Sequence, residues 1–223
     1  MKIAIDGPAG AGKSTVAKMV AVKLGYLYID TGAMYRAIAW LARAQNVSPQ
    51  NGPALAELAR NCNLTLKPGA ATGVFVHNQD ISTDIRLPEI SELVGPVSAQ
   101  KELREELVKQ QQAMAHAVDA VLDGRDIGTV VLPDAEVKVF LTASPEVRAH
   151  RRLKDIQKMG LPDTFDQILK AIVERDHKDS TRAESPLRQA DDAVKVDTDT
   201  MSIDQVVETI LLLCAKCEKT IRI

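Results

Sequence analysis

The chain has 223 residues, 45% of them hydrophobic, enough for one large α/β domain with insertions or two small domains. Its 28 basic and 30 acidic residues leave a formal charge of −2, so no overall field draws it to nucleic acid or a membrane. The three cysteines, Cys62, Cys214 and Cys217, argue against a disulfide framework, and no apolar run reaches bilayer length, so a cytoplasmic protein is expected. Met1–Ile5 runs straight into a strand pattern, without the n- and h-regions of a signal peptide, so no leader is expected.

Lys2–Asp6 is the first of five short β-rich runs; the others are Tyr26–Asp30, Ala120–Asp123, Val137–Leu141 and Ala193–Asp197. Near-continuous apolar runs of this kind suit parallel strands buried on both faces. With helical patterns between them, they predict an α/β fold around a five-stranded parallel sheet flanked by helices.

After the first run, Gly7-Pro8-Ala9-Gly10-Ala11-Gly12-Lys13-Ser14 completes the phosphate-loop pattern G-x-x-x-x-G-K-[ST], followed by Thr15. Its small residues let backbone N–H groups turn inward around a phosphate, and the next helix adds a positive end. Lys13 is placed to reach the β- and γ-phosphates and the Ser14 hydroxyl to approach Mg²⁺. Val16, Met19, Val20 and Leu24 mark one face of that helix, which ends near Gly25. The motif predicts a nucleoside triphosphate site but is shared by switches, motors and kinases, so the rest of the chain must decide.

Asp30-Thr31-Gly-Ala-Met-Tyr-Arg36 follows the second run as a strand-end loop. From Tyr35 to about Val118, more than eighty residues break the strand–helix rhythm. Within them Leu64–Leu66, Val74–His77 and Asp80–Ser82 read as a small antiparallel sheet, with turns at Lys67-Pro-Gly69 and Asn78-Gln79. Asp123-Gly-Arg125-Asp126-Ile-Gly-Thr129 follows the third run. In an open parallel sheet the strand-end loops gather over the ligand, so Thr31, Arg36, Arg125 and Asp126 are candidates beside the phosphate loop. Arginine suits phosphate because its planar fork binds bidentately. Asp123 reads equally as an acid near Mg²⁺ or as a residue that fixes its loop.

Ser144-Pro145 opens a helix through Met159 with an N-cap and a first-turn proline. From Arg151 to Arg182 the chain is charged and contains Gly160-Leu-Pro162; this is either an inert helix pair or a cover over the site. Arg175, Asp179 and Arg182 recur at helical spacing, as do Arg148, Arg151 and Arg152. Each stripe is either solvated charge or a source of cations for a transferring phosphoryl group. Ser202-Ile-Asp-Gln205 is a capping box for the last helix, on which Cys214 and Cys217 read as ordinary helix residues for want of a second ligand pair.

In this order, IDGPAGAGKST, DTGAMYR, DGRDIGTVV, HRR at His150–Arg152, ERD at Glu174–Asp176 and the Asp179/Arg182 pair resemble the bacterial cytidylate kinases, over essentially the whole chain. The resemblance implies a P-loop kinase transferring the γ-phosphoryl of ATP, with Mg²⁺, to CMP or dCMP, as a monomer needing neither nucleic acid nor membrane. It implies a core over 1–35, 119–150 and 183–223, and a nucleoside-monophosphate-binding insert over 36–118 with its small sheet at about 63–84. It also implies a helical lid over 151–182. Gly7 to Thr15 would hold ATP. Thr31, Arg36, Arg104, Arg125, Asp126, Arg175 and Asp179 would hold CMP. In the family, residues matching Arg36 and Arg125 hold the acceptor phosphate, those matching Arg104 and Asp126 read cytosine, and those matching Arg175 and Asp179 address the sugar and phosphate side. Lys13, Arg175 and Arg182 would be catalytic. Gly95 stands where the family usually carries a serine, with Ser98 three residues on, and Lys178 where an arginine is frequent.

The alternatives are a P-loop kinase of another small acceptor, such as UMP, AMP or a shikimate-like alcohol, and a regulatory NTPase. An alcohol acceptor requires an acidic base, for which Asp30 is the one candidate. A guanine-reading switch requires N/T-K-x-D, which the sequence lacks.

Overall fold

The computed structural model describes residues 1–67, 73–158 and 162–221. The chain divides into two compact units, Met1–Tyr26 with Ala120–Ile223, and Leu27–Asp119.

The first unit contains β1 (Lys2–Asp6), α1 (Lys13–Leu24), β6 (Ala120–Gly124), β7 (Val137–Thr142), α6 (Pro145–Lys158), α7 (Phe165–Thr181), β8 (Val194–Asp197) and α8 (Ile203–Ile221). The second contains β2 (Leu27–Asp30), α2 (Thr31–Ala44), α3 (Gly52–Asn61), β3 (Thr65–Lys67), β4 (Gly73–Val76), β5 (Gln79–Asp80), α4 (Pro88–Ser98) and α5 (Lys101–Ala115). The larger sheet has the order β2-β6-β1-β7-β8, so the expected five-stranded parallel sheet is present.

In the first unit, β1 lies between β6 and β7, and its residues Ile3, Ala4 and Ile5 are fully buried. A strand covered on both faces cannot alternate apolar with polar, which is why its sequence is a continuous apolar run. Helix α1 packs on β6 and α8, and α8 on β7. Val16, Val20, Val207 and Ile210 are buried on those helices, and so is Cys214. In the parallel register Asp6 lies level with Gly124 and with Phe140. The phosphate loop and the segment from Asp123 therefore leave the sheet at the same edge.

Helices α6 and α7 pack together around Ala149, Ile156 and Ile168, with Leu153, Phe165, Leu169 and Ile172 against them. The charged stretch thus has its own apolar seam. Thr164 and Gln167 form a capping box at the start of α7. Ser144 caps α6 and Ser202 caps α8 with Gln205, both as expected. Gly160 and Leu161 of the Gly160-Leu-Pro162 signal lie outside the described residues, as do Pro68 and Gly69 of the first expected turn.

In the second unit, the expected antiparallel sheet is present in the order β3-β4-β5. Its hairpin turn falls one residue earlier than expected, at His77-Asn78, with Val76 paired to Gln79. A two-residue hairpin loop in a type I′ turn takes positive φ at both central positions. His77 and Asn78 take φ 49° and 67°, and Gln79 is released to begin β5. Ser82 leaves the strand, yet its Oγ still accepts the Val74 N–H at 2.8 Å.

The DTGAMYR segment, expected as a loop, is the first two turns of helix α2. Asp30 terminates β2 and at once caps α2, its Oδ1 accepting the Ala33 N–H at 2.8 Å. The cap fills the backbone vacancy at the helix start, and an alanine-rich sequence continues it. Helix α2 packs on α3, α4, α5 and β4 around the buried Met34, Ile38, Leu55, Val74, Ile90, Leu103 and Leu107.

Candidate functional site

The phosphate loop sits between β1 and α1, as its motif requires. Gly7 has φ 147°, and a Cβ there would come 2.0 Å from the carbonyl oxygen of Leu141, so only glycine lets β7 approach. Gly12 caps α1 at φ 90°, in the left-handed region. The Lys13 side chain is buried and donates from Nζ to the Pro8 carbonyl at 2.7 Å. Burial and the Arg125 and Arg175 guanidiniums hold the Lys13 pKa well below the usual ammonium range, against Asp123 and Asp6. A cation in this condition gains strongly from an arriving polyphosphate.

Asp123 lies on β6, 3% exposed, and its Oδ2 accepts the Ser14 hydroxyl at 2.7 Å. Two hard oxygen donors therefore meet at the mouth of the phosphate loop. A partial set of this kind suits Mg²⁺, which keeps waters and substrate phosphates as its remaining ligands. Among the described residues no cluster of three or more His, Cys, Asp or Glu could hold a metal unaided.

The strand-end segment after β6 places Arg125 and Asp126 beside α7. Arg125 Nε donates to Asp179 Oδ2 at 2.8 Å. Burial pushes the Asp179 carboxyl up, but Arg125, with Arg175 and Arg182, outweighs it and holds the group below the usual carboxylate range. Arg182 Nη2 lies 3.8 Å from Asp126 Oδ1, the Asp126 side chain buried and that of Arg182 nearly so. Arg182 is not on the helix face with Arg175 and Asp179. It ends α7 in an extended conformation, ψ 144°, with Nε donating to the Ser185 carbonyl at 2.6 Å. Helical spacing alone places it one residue too far into the helix.

The other arginine stripe behaves differently. Arg148 is 2% exposed and donates to the carbonyls of Ala143 (2.9 Å) and Ala9 (3.1 Å) and to the Asp176 carboxylate. Arg151 donates to Thr198 at Oγ1 and at the carbonyl. These two guanidiniums serve the protein's own backbone and carboxylates. Sequence spacing could not show which acceptors they take; only the folded chain does. A cavity of about 520 Å³ opens beside them, lined by Pro8, Arg148, His177, Lys195 and Asp197 among others.

Within the second unit, Thr31 is buried at the first position of α2, and Arg36 Nη1 and Asp30 Oδ1 both lie 3.4 Å from where a Gly32 Cβ would stand. Asp30, the one candidate base for an alcohol acceptor, caps α2 through its Oδ1. Arg104, 4% exposed on α5, donates to the Ser98 carbonyl at 2.9 Å, its guanidinium 5.2 Å from the centre of the Tyr35 ring. Ser98 in turn donates its hydroxyl to the Gly95 carbonyl at 3.1 Å, and among the described residues nothing beyond its own helix backbone lies within 4 Å of where a Gly95 side chain would begin. Asp6, which no motif reading singled out, makes two buried hydrogen bonds to the segment after β6.

A sequence model of cytidylate kinase matches residues 3–216. The chain is similar to the cytidylate kinase of Shouchella clausii, 55% identical over 94% of this chain and 93% of that protein. It is also similar to the cytidylate kinase of Listeria monocytogenes, 50% identical over 95% and 94% of the two. A crystal structure of an uncharacterized protein from Eubacterium ventriosum shares the fold, with TM-score 0.54 at 12% identity over 97% of this chain and 98% of that one. With its phosphate loop, strand-end arginines and near-complete match, the chain belongs to the cytidylate kinase family.

Proposed function

We propose that this protein transfers the γ-phosphoryl group of ATP to CMP or dCMP, giving ADP and CDP or dCDP. The observation that carries the reading is the joint of Lys13, Ser14 and Asp123 at the phosphate loop, in a chain with over half its residues identical to a cytidylate kinase. Gly7 to Thr15 cradle the triphosphate through backbone N–H groups. Mg²⁺, taken with ATP, would be held by the Ser14 hydroxyl with the Asp123 carboxylate nearby, and would neutralise phosphate charge.

The acceptor is an ionised phosphate oxygen, which needs no general base. The match to cytidylate kinases over nearly the whole chain supports that choice over an alcohol acceptor. Arg36 and Arg125 serve the acceptor phosphate, Arg104 and Asp126 the cytosine, and Thr31, Arg175 and Asp179 the rest of the nucleotide. Arg125 already faces a carboxylate, Asp179, so an incoming phosphate exchanges one anion for another rather than ordering a loose side chain. Lys13, Arg175 and Arg182 stabilise charge on the transferring group, and catalysis is positioning plus electrostatics. We assign lid movement to the α6–α7 pair over 151–182, and a monomeric, cytoplasmic enzyme.

ADP release measured with CMP, dCMP, UMP, AMP and shikimate in turn tests the assignment. CMP and dCMP should be the preferred acceptors. Equal turnover of UMP or AMP rejects cytidine specificity, and turnover of shikimate alone rejects the phosphate acceptor.

A further inference from the structure

Asp6 ends β1 immediately before the phosphate loop, yet its bonds go elsewhere. Its Oδ1 accepts the Ile127 N–H at 2.8 Å and its Oδ2 the Gly128 N–H at 2.7 Å. Ile127 and Gly128 begin a π-helical turn over Ile127–Val131. The first N–H groups of any helical turn lack partners inside it. Asp6 supplies them from another strand, as an N-cap does locally.

Asp126 stands directly before those two amides. Its own conformation is not helical, φ −144° and ψ 25°, and its carbonyl receives the N–H groups of Val130 (2.9 Å) and Val131 (3.2 Å). The backbone around Asp126 is therefore held by the turn through its carbonyl and by Asp6 through the next two amides. A Cβ on Gly128 would stand 3.2 Å from Lys138 Cδ and 3.4 Å from Asp6 Oδ2, so the carboxylate and the lysine stem close on a bare glycine.

This arrangement is costly. Asp6 is 5% exposed; burial, with a smaller push from Asp126, raises its carboxyl to about 6 against the pull of the two amides and Lys13. The other charge near it, Lys138 on β7, is itself held by Asp192 at 2.7 Å. A neutral asparagine of the same shape would avoid the burial of charge but could accept only one of the two amides. What the buried carboxylate provides is the geometry it imposes, one oxygen to each amide.

We propose that Asp6 is a positioning residue for base recognition, its carboxylate fixing the Asp126–Gly128 backbone so that the Asp126 side chain meets the cytosine amino group. The proposal rests on the reading of Asp126 given above. Asp6→Asn in the full chain, assayed with CMP, UMP and ATP, tests it beside Asp126→Ala. In Asp6→Asn, kcat/KM for CMP should fall about tenfold or more, for UMP much less, with the KM for ATP unmoved. If Asp126→Ala abolishes the CMP preference and Asp6→Asn keeps it, the role of Asp6 is refuted and the reading of Asp126 stands. Equal losses for CMP and UMP in Asp6→Asn likewise reduce Asp6 to a support of the fold. A preference that survives in Asp126→Ala overturns the reading of Asp126, and the assignment of Asp6 with it. Should Asp6→Asn not fold, two measurements remain. The Ile127 and Gly128 amides of the unmutated protein should exchange slowly with solvent, and Gly128→Ala, whose methyl group would press on the Lys138 stem at 3.2 Å and shift the amide held by Asp6, should lower the CMP preference. Free exchange, or an unaltered preference in Gly128→Ala, overturns the proposal.

Discussion

Arg148 and Asp176 are joined through both ends of the guanidinium, Nη1 to Oδ1 at 3.0 Å and Nη2 to Oδ2 at 2.5 Å. The same guanidinium reaches the Ala9 carbonyl of the phosphate loop and the Ala143 carbonyl beyond β7. One side chain thus connects the phosphate loop to the helix that carries Arg175 and Asp179.

Removing that connection should cost more than a surface pair does. Breaking a buried ion pair by deleting one partner leaves the other charge uncompensated, at roughly 3–5 kcal/mol. The Asp176 side chain is 26% exposed, so the lower end of that range is expected for Arg148→Ala. Arg148→Lys should recover only part, because an ammonium lacks the fork. Urea unfolding of both variants measures this, and a loss below about 1 kcal/mol, the size of an exposed pair, contradicts it.

Lys13→Ala should reduce turnover by roughly 10²–10³-fold or more, the scale of losing one preorganised charge-stabilising group. Its melting curve should stay close to that of the unmutated protein, because burying a depressed ammonium without a ligand contributes little stability. Near-normal turnover in a folded variant contradicts a role at the triphosphate.

Arg182→Ala separates transition-state from ground-state action. The guanidinium is held off the end of α7 by the Ser185 carbonyl, close to Asp126, rather than projecting from the helix. A role at the transferring group predicts a fall in kcat exceeding any rise in KM for either nucleotide. A change confined to KM would show uniform binding instead.

Asp126→Ala addresses base choice. A carboxylate accepts from the cytosine amino group and faces an acceptor in uracil, so a closed site can discriminate by roughly 10⁴-fold. The CMP-to-UMP ratio of kcat/KM should collapse in the variant. Retention of the ratio would place base selection elsewhere, with Arg104 the next residue to test.

Asp6 also predicts a pH dependence of stability. Its folded pKa, about 6, lies above the ordinary 3.8, so the native state binds the proton more tightly than the unfolded chain. Its contribution is therefore most favourable below about pH 4 and is lost as pH rises to about 6, by on the order of 3 kcal/mol. Asp6→Asn removes this titration. The stability difference, native protein minus variant, should fall across that window and be flat above it. A difference independent of pH between 4 and 6 would falsify the raised pKa.

Much of the frame was legible in the sequence because it depends on local rules. The phosphate loop is contiguous, its glycines and lysine spaced by the backbone itself, and apolar runs such as Lys2–Asp6 state directly that both strand faces are covered. Capping signals at Ser144 and Ser202 act over three residues and were equally plain. Short-range competition was harder: Asp30 could end a strand, open a loop or cap a helix, and only packing of α2 against α3, α4 and α5 decides for the cap. The hairpin shifted by one residue because tolerance of positive φ at His77 and Asn78, not hydrophobic pattern, sets the turn.

Tertiary structure alone decided which partners each charge takes. Arg148 and Arg182 look alike in sequence, each on a helical stripe of basic residues. One is consumed by three acceptors from β7's end, the phosphate loop and α7; the other leaves its helix toward Asp126. Asp6 is the extreme case, since its partners lie 121 and 122 residues away and no spacing rule reaches them. Periodicity reports which face of an element is buried, but hydrogen bonding depends on partners a few ångströms apart in space, and only the folded chain brings those together.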